Sequence, residues 1–395
     1  MEKQVFIETY SRERWGTDSL KWDGVKERYG KAGLLPVWVA DMDFAVPESV
    51  QEALTKRVQA GIFGYSLVPA DYVASYQGWQ NRHFGTQFQA EWLVFSTGVV
   101  QALYDLIECF TNLGDSVLVQ SPVYYPFYEG INNKKRNLVV SPLQKTAGGY
   151  QMDLANFKAQ IIEKKVKLFI LCSPHNPVGR VWTEEELAAV LAICQQQDVL
   201  VVSDEIHSDF IAPGKQFVSA LSVAENLENL IVCNAPSKTF NMATLLNAHI
   251  WIPSEKRRAT FAQWSQQQRA TEYSSLGQLA AMVAYCTGDE WFAALKQVIW
   301  DNANYLEERF KEELPLAEVA ELQGTYLLWV NLGNYQIADL PHFMESAGLA
   351  VDYGSWFAPE SEQYIRINLA TTPERIIQVA DRLVEAIQKL PKAGI

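Results

Sequence analysis

The chain reads as an α/β protein: a mainly parallel sheet between helices, followed by a smaller α+β unit. Three observations carry that reading. From Trp92 onward, short apolar runs alternate with stretches of helical spacing, the pattern of strands joined by crossover helices. Residues 168–172, 199–202 and 230–233 are apolar runs that each end in a polar, turn-rich stretch, as buried parallel strands do. Near Glu290 the alternation gives way to one long helical stretch.

Taken in order, the first residues to about 43 show no sheet of their own and are expected to pack on the later, smaller unit. Residues 93–95 form a strand that runs into Gly98, and residues 99–110 carry helical apolar spacing. A strand over 116–120 and a loop over 121–127 follow. Thr183 and Glu186 stand three apart ahead of an apolar run, a capping box that opens a helix through Ile193. A helix over about 291–314 begins the smaller unit, whose strands are residues 325–330 and 364–368. The last element is an amphipathic helix with Thr372 as N-cap and Pro373 at its first position. It is expected to bury Ile376, Ile377, Ala380, Val384 and Ile387. The expected division is a large unit over 45–288 and a small one made of 1–44 and 289–395.

At 395 residues, 48% hydrophobic and 20% charged, the chain has the composition of an ordinary globular protein with a large core. A formal net charge of -13 argues against nucleic acid as a ligand, since phosphate contacts need clustered Lys and Arg. The cysteines (Cys109, Cys172, Cys194, Cys233 and Cys286) form no paired motif and no metal-ligand spacing with histidine. Free cysteines in apolar runs suit a reducing compartment. No run approaches the roughly 20 apolar residues of a membrane span and no signal-peptide core is present, so a cytoplasmic location is expected.

The three polar stretches hold the chemistry. Ser173-Pro-His-Asn-Pro-Val-Gly179, Ser203-Asp-Glu-Ile-His207 and Asn234-Ala-Pro-Ser-Lys-Thr-Phe240 bring an amide, a carboxylate and an amine to three strand ends. Ligands of open α/β sheets bind at that edge. A lysine opposite an aspartate there suits pyridoxal phosphate, which needs an amine to hold it and an acid facing its ring nitrogen. Lys238 is the amine and a candidate base for a Cα proton. Asp204 is the acid, and the interval between them leaves room for one crossover helix and the next strand. Asn176 would donate its amide to the cofactor's phenolate oxygen, although Asn-Pro is also a common local turn pair. His207 lies close enough to Asp204 in sequence to approach the same region.

Thr97-Gly-Val-Val100 joins a strand to a helix. The backbone N–H groups of Gly98, Val99 and Val100 would cradle the phosphate there, with the Ser237 hydroxyl beside them. Tyr124 would stack on the ring face and stand against substrate, with core packing as its competing role. Arg366 sits in an apolar strand and needs an anion. A substrate α-carboxylate would meet that need; so would an internal salt bridge.

These residues resemble a known family, the fold-type I pyridoxal phosphate enzymes, and within it the cystathionine β-lyase/C–S lyase branch of MalY/PatB type. The resemblance runs from Leu35-Pro-Val-Trp-Val-Ala-Asp-Met-Asp-Phe44 through the stretches above to Ile365-Arg-Ile-Asn-Leu-Ala370. It implies β-elimination from an S-substituted L-amino acid such as cystathionine or cysteine, giving pyruvate, ammonia and a thiol. An aminotransferase using the same residues is the alternative. The resemblance also implies a homodimer, with Tyr65 reaching the phosphate bound by the neighbouring subunit. His207 stands where aminotransferases usually carry tyrosine, which favours the lyase. Departures from the pattern are Thr244 for glycine, Asn331 for aspartate, and a segment over 353–363 without the expected glycine-rich run.

Overall fold

Seven strands make the principal sheet: β1 (Leu93–Ser96), β2 (Ser116–Val119), β3 (Asn137–Val140), β4 (Val166–Cys172), β5 (Leu200–Asp204), β6 (Leu230–Asn234) and β7 (Ala248–Trp251). The computed structural model describes residues 1–146, 149–270 and 273–390; residues 391–395, expected in the small unit, lie outside the described residues. The strand order is β1-β7-β6-β5-β4-β2-β3. β7 runs antiparallel to both its neighbours, and the other pairs are parallel.

Every residue of β5 and β6 is buried, because helices cover both faces of the sheet and leave no face for polar side chains. The expected strands β1, β2, β4, β5 and β6 are all present, with helices between them. The antiparallel β7 and the edge strand β3 escaped the sequence reading. β7 mixes His249 and Trp251 into its run, and β3 is a four-residue stretch with an exposed start.

The capping box at Thr183 and Glu186 is formed, and its helix spans Glu184–Gln196. The long helix is Asp289–Glu313, close to the expected span. A second, four-stranded antiparallel sheet follows: β8 (Glu318–Val319), β9 (Leu327–Asn331), β10 (Asp352–Tyr353) and β11 (Tyr364–Asn368), in the order β8-β9-β11-β10. β9 begins later than expected because Thr325 takes a left-handed backbone angle, φ 72°, which a strand cannot accommodate.

In the N-terminal stretch, Phe6 of the helix Lys3–Tyr10 lies edge-on to Trp291 at 5.6 Å. The stretch also adds a short pairing, Leu35–Pro36 beside Leu349–Ala350. The last helix, Pro373–Gln388, starts at the expected proline, yet the Thr372 side chain caps no N–H. Its buried stripe is Ile376, Val379, Ala380, Leu383, Val384 and Ile387. Ile377 faces outward instead, one helical step off the stripe. No described helix is long and apolar enough to cross a membrane.

Candidate active site

Register places the three chemical groups. Asp204 is the last residue of β5 and lies directly between Cys172 of β4 and Cys233 of β6. Asn176 follows β4, and Lys238 sits in the short helix Pro236–Thr239 after β6. Three adjacent parallel strands thus end at one edge with an amide, a carboxylate and an amine.

They open on a cavity of about 170 Å³. Gly98, Val99, Val100, Tyr124, Asn176, Asp204, His207, Ser237 and Lys238 all line it. Ala40, Cys172, Ile206 and Ala243 complete the wall. Of these, Ala40 and Ala243 carried no signal a sequence could offer, since each contributes backbone or a methyl group.

Lys238 Nζ donates to the Ala40 carbonyl at 2.6 Å, and the Tyr326 hydroxyl donates to the same oxygen at 2.9 Å. Enclosure in the cavity wall is the largest influence on the lysine and brings it down to about 8, against the opposing pull of Asp41, Asp204 and Asp352. Asp204 is pushed up to about 7, again chiefly by burial. One of its oxygens accepts from the Ile206 N–H at 3.1 Å. His207 is held neutral: burial, then the charges of Lys238 and Arg366, drives it well below the ordinary imidazole range. Its Nδ1 is buried without a partner among the described residues.

At the opposite wall the helix Val99–Phe110 begins at Gly98 with no side-chain cap, so its first N–H groups face the cavity unsatisfied. A Cβ built on Gly98 would meet nothing within 4 Å; that is open room beside a helix N-terminus, suited to a phosphate. An orphan imidazole nitrogen, an uncapped helix start, an enclosed carboxylate and an amine on one cavity fit pyridoxal phosphate. Among the described residues no cluster of His, Cys, Asp or Glu could hold a metal ion.

Arg366 lies apart from that wall. Its NH1 donates to Asn176 Oδ1 at 2.8 Å, and its NH2 to the Trp38 carbonyl at 3.3 Å and to Asp352 Oδ2. The guanidinium stands over the Phe357 ring, 4.8 Å from its centroid. Of the two anions considered from sequence, the internal one is present in the geometry. The salt bridge to Asp352 is formed, and the tie to Asn176 connects the arginine to the cavity.

Tyr65 does not reach this cavity within its own chain. Its side chain is fully exposed, in an irregular segment beside Phe63 and Ser66.

Residues 41–383 match the aminotransferase class I and II family. The chain belongs to that family. Among aminotransferase class I and II relatives, it is 37% identical over 361 residues to cystathionine beta-lyase PatB of Bacillus subtilis, spanning 90% of this chain and 93% of that protein. The solved structure of cystalysin from Treponema denticola, which contains a pyridoxal 5'-phosphate cofactor, aligns with TM-score 0.92 at 30% identity, covering 96% of this chain and 98% of that one. The pyridoxal phosphate-bound C–S lyase of Staphylococcus hominis aligns at 0.90 with 32% identity, over 95% and 96%. The fold is that of fold-type I pyridoxal phosphate enzymes, as expected.

Proposed function

We propose that this chain is a pyridoxal phosphate-dependent carbon–sulfur β-lyase acting on S-substituted L-amino acids of the cystathionine and cysteine type. The observation that carries the reading is the convergence of Lys238, Asp204 and Asn176 at three adjacent strand ends. The likeness to PatB over nine-tenths of the chain supports the lyase over the aminotransferase, since fold alone does not choose between them.

Bound pyridoxal phosphate supplies an electron sink for the pair left at the substrate Cα when its proton departs. Lys238 would hold the cofactor through Nζ and, when free, would accept the substrate Cα proton. A lysine brought down to about 8 is about one-tenth neutral at pH 7, far more than an ordinary lysine, and the neutral form is the one a base requires. Asp204 keeps the ring nitrogen protonated, and Asn176 presents its NH2 to the cofactor, its oxygen already engaged by Arg366. The N–H groups of Gly98, Val99 and Val100, with Ser237, would hold the phosphate, and Tyr124 would lie against the cofactor ring. His207 lends a neutral imidazole to the cofactor edge. Arg366 receives the substrate α-carboxylate. The sulfur at Cβ leaves as a thiolate, which takes the proton from Lys238, and hydrolysis releases pyruvate and ammonia.

In this reading residues 45–288 bind the cofactor, while 1–44 and 289–395 supply the carboxylate-binding strand. The active form is a homodimer in which Tyr65 completes the partner's phosphate site. The exposed apolar side chains Ile62, Phe63, Leu67 and Val68 around Tyr65 support an interface there, because soluble monomers rarely leave such a patch bare.

The test is incubation of the cofactor-loaded protein with L-cystathionine and no 2-oxo acid. Pyruvate and free thiol should appear together and continuously, and Lys238→Ala should abolish both. Amino-group transfer that starts only when a 2-oxo acid is added would replace the lyase by the aminotransferase.

A further inference from the structure

The geometry points to Asp352 as an internal occupant of the substrate-carboxylate site. It holds Arg366 while substrate is absent, and an incoming α-carboxylate replaces it as Asp352 takes up a proton from solvent. This rests on the reading of Arg366 as the carboxylate-binding residue.

The register is the first support. Asp352 of β10 pairs directly with Arg366 of β11, so the two side chains rise side by side from one face of the sheet. Both are buried. Asp352 Oδ2 accepts from Arg366 NH2, whereas Asp352 Oδ1 and Arg366 Nε are buried without partners among the described residues.

The second support is the state of the guanidinium. With NH1 on Asn176 and NH2 on Trp38 and Asp352, its two terminal nitrogens are both engaged. A two-point grip on an arriving carboxylate needs such a pair of donors. Arg366 is also absent from the cavity wall, where its partner Asn176 stands. A carboxylate gripped through both terminal nitrogens competes with the partners already there, and Asp352 is the one chemically equivalent to the substrate's own carboxylate.

Charge decides what happens to the displaced group. Arg366, Arg28 and Lys238 are the cations that act on Asp352, and Tyr29, Tyr124 and Tyr125 are the titratable hydroxyls that feel it. Arg28 is already spread over the Trp356 ring at 4.1 Å. Burial outweighs these cations and raises Asp352 to about 6 even with Arg366 in contact. A second buried carboxylate sharing one guanidinium pushes it higher, because like charges at close range do not both persist. The neutral form is then the one that coexists with substrate.

The consequence is an affinity that depends on proton concentration. With a pKa of about 6, about one-tenth of Asp352 is neutral at pH 7, so binding is weakened about tenfold relative to a form always neutral.

The test uses the holoenzyme and 3-(methylthio)propionate, a thioether carboxylate without an amine, in calorimetric titrations in two buffers of different ionisation enthalpy. The wild-type protein should take up close to one proton per ligand at pH 7, and its affinity should rise about tenfold from pH 8 to pH 7. Asp352→Asn should bind about tenfold tighter at pH 7 with no proton uptake. Arg366→Lys should lose binding. If Arg366→Lys loses binding but the wild type takes up no proton, or Asp352→Asn binds no tighter, Asp352 merely props the arginine and the proposal is overturned. If Arg366→Lys binds as well as wild type, the carboxylate role of Arg366 fails, and the proposal with it. The proton count and the pH series need no variant, so a misfolded Asp352→Asn leaves the test intact.

Discussion

Asp204 pits function against stability at a single atom pair. The fold encloses its carboxyl and lifts it from an ordinary 3.8 to about 7, so in the cofactor-free protein the charged form is disfavoured. A group raised in this way contributes stability below its unfolded value, and loses it as pH climbs through the folded one. Cofactor-free wild type should therefore lose melting temperature relative to Asp204→Asn between pH 5 and pH 8; parallel curves in a thermal scan would contradict the assignment. In the loaded enzyme the order reverses. Without a carboxylate to keep the ring nitrogen protonated, kcat should drop by roughly 10²–10³-fold, the scale of a lost preorganised charge. Absorbance of bound cofactor should persist, which separates loss of chemistry from loss of binding.

Among the elements, the link between β10 and β11 is one of the expected departures from the family pattern. The expected glycine-rich run is absent, and aromatic side chains fill the space instead. Trp356 stands edge-on to Tyr125 and Tyr353 at 6.2 Å and 5.3 Å, and Arg28 covers its face. One glycine remains essential. A Cβ on Gly354 would run into the Ser361 carbonyl and come within 2.7 Å of Tyr364 Cβ. Gly354→Ala should cost about 1–3 kcal/mol by overpacking, read from denaturant unfolding. Because the link holds Asp352 and Arg366 in register, KM should rise more than kcat falls. A variant with wild-type stability and KM would mean the link adjusts freely.

The exposed run around Tyr65 belongs to the scale of the assembly. Leu67 is 92% exposed and Tyr65 fully so, beside an open groove that Tyr273, Ser274 and Gln278 also line. If each site borrows Tyr65 from its partner, Tyr65→Ala and Lys238→Ala damage opposite halves of a site. Co-expressed, they should form hybrid dimers in which one site of two is whole. Random pairing then restores about a quarter of wild-type activity. Activity no higher than the sum of the separate variants would remove Tyr65 from the partner's site.

What the chain reveals by itself follows from local physics. Buried parallel strands must be continuous apolar runs, helix starts need caps, and the residues just past such runs fall at one sheet edge. Lys238, Asp204, Asn176 and Gly98 were legible for that reason, as was the family likeness. Contacts between segments far apart in sequence leave no periodic trace. The Ala40 carbonyl on Lys238, the outward turn of Ile377, the antiparallel β7 and the pairing of Asp352 with Arg366 were decided only by how distant segments pack together. Burial set the direction in which Asp204, Lys238 and His207 shift in the same way, since a side chain's environment is made by neighbours that its own stretch of sequence does not contain.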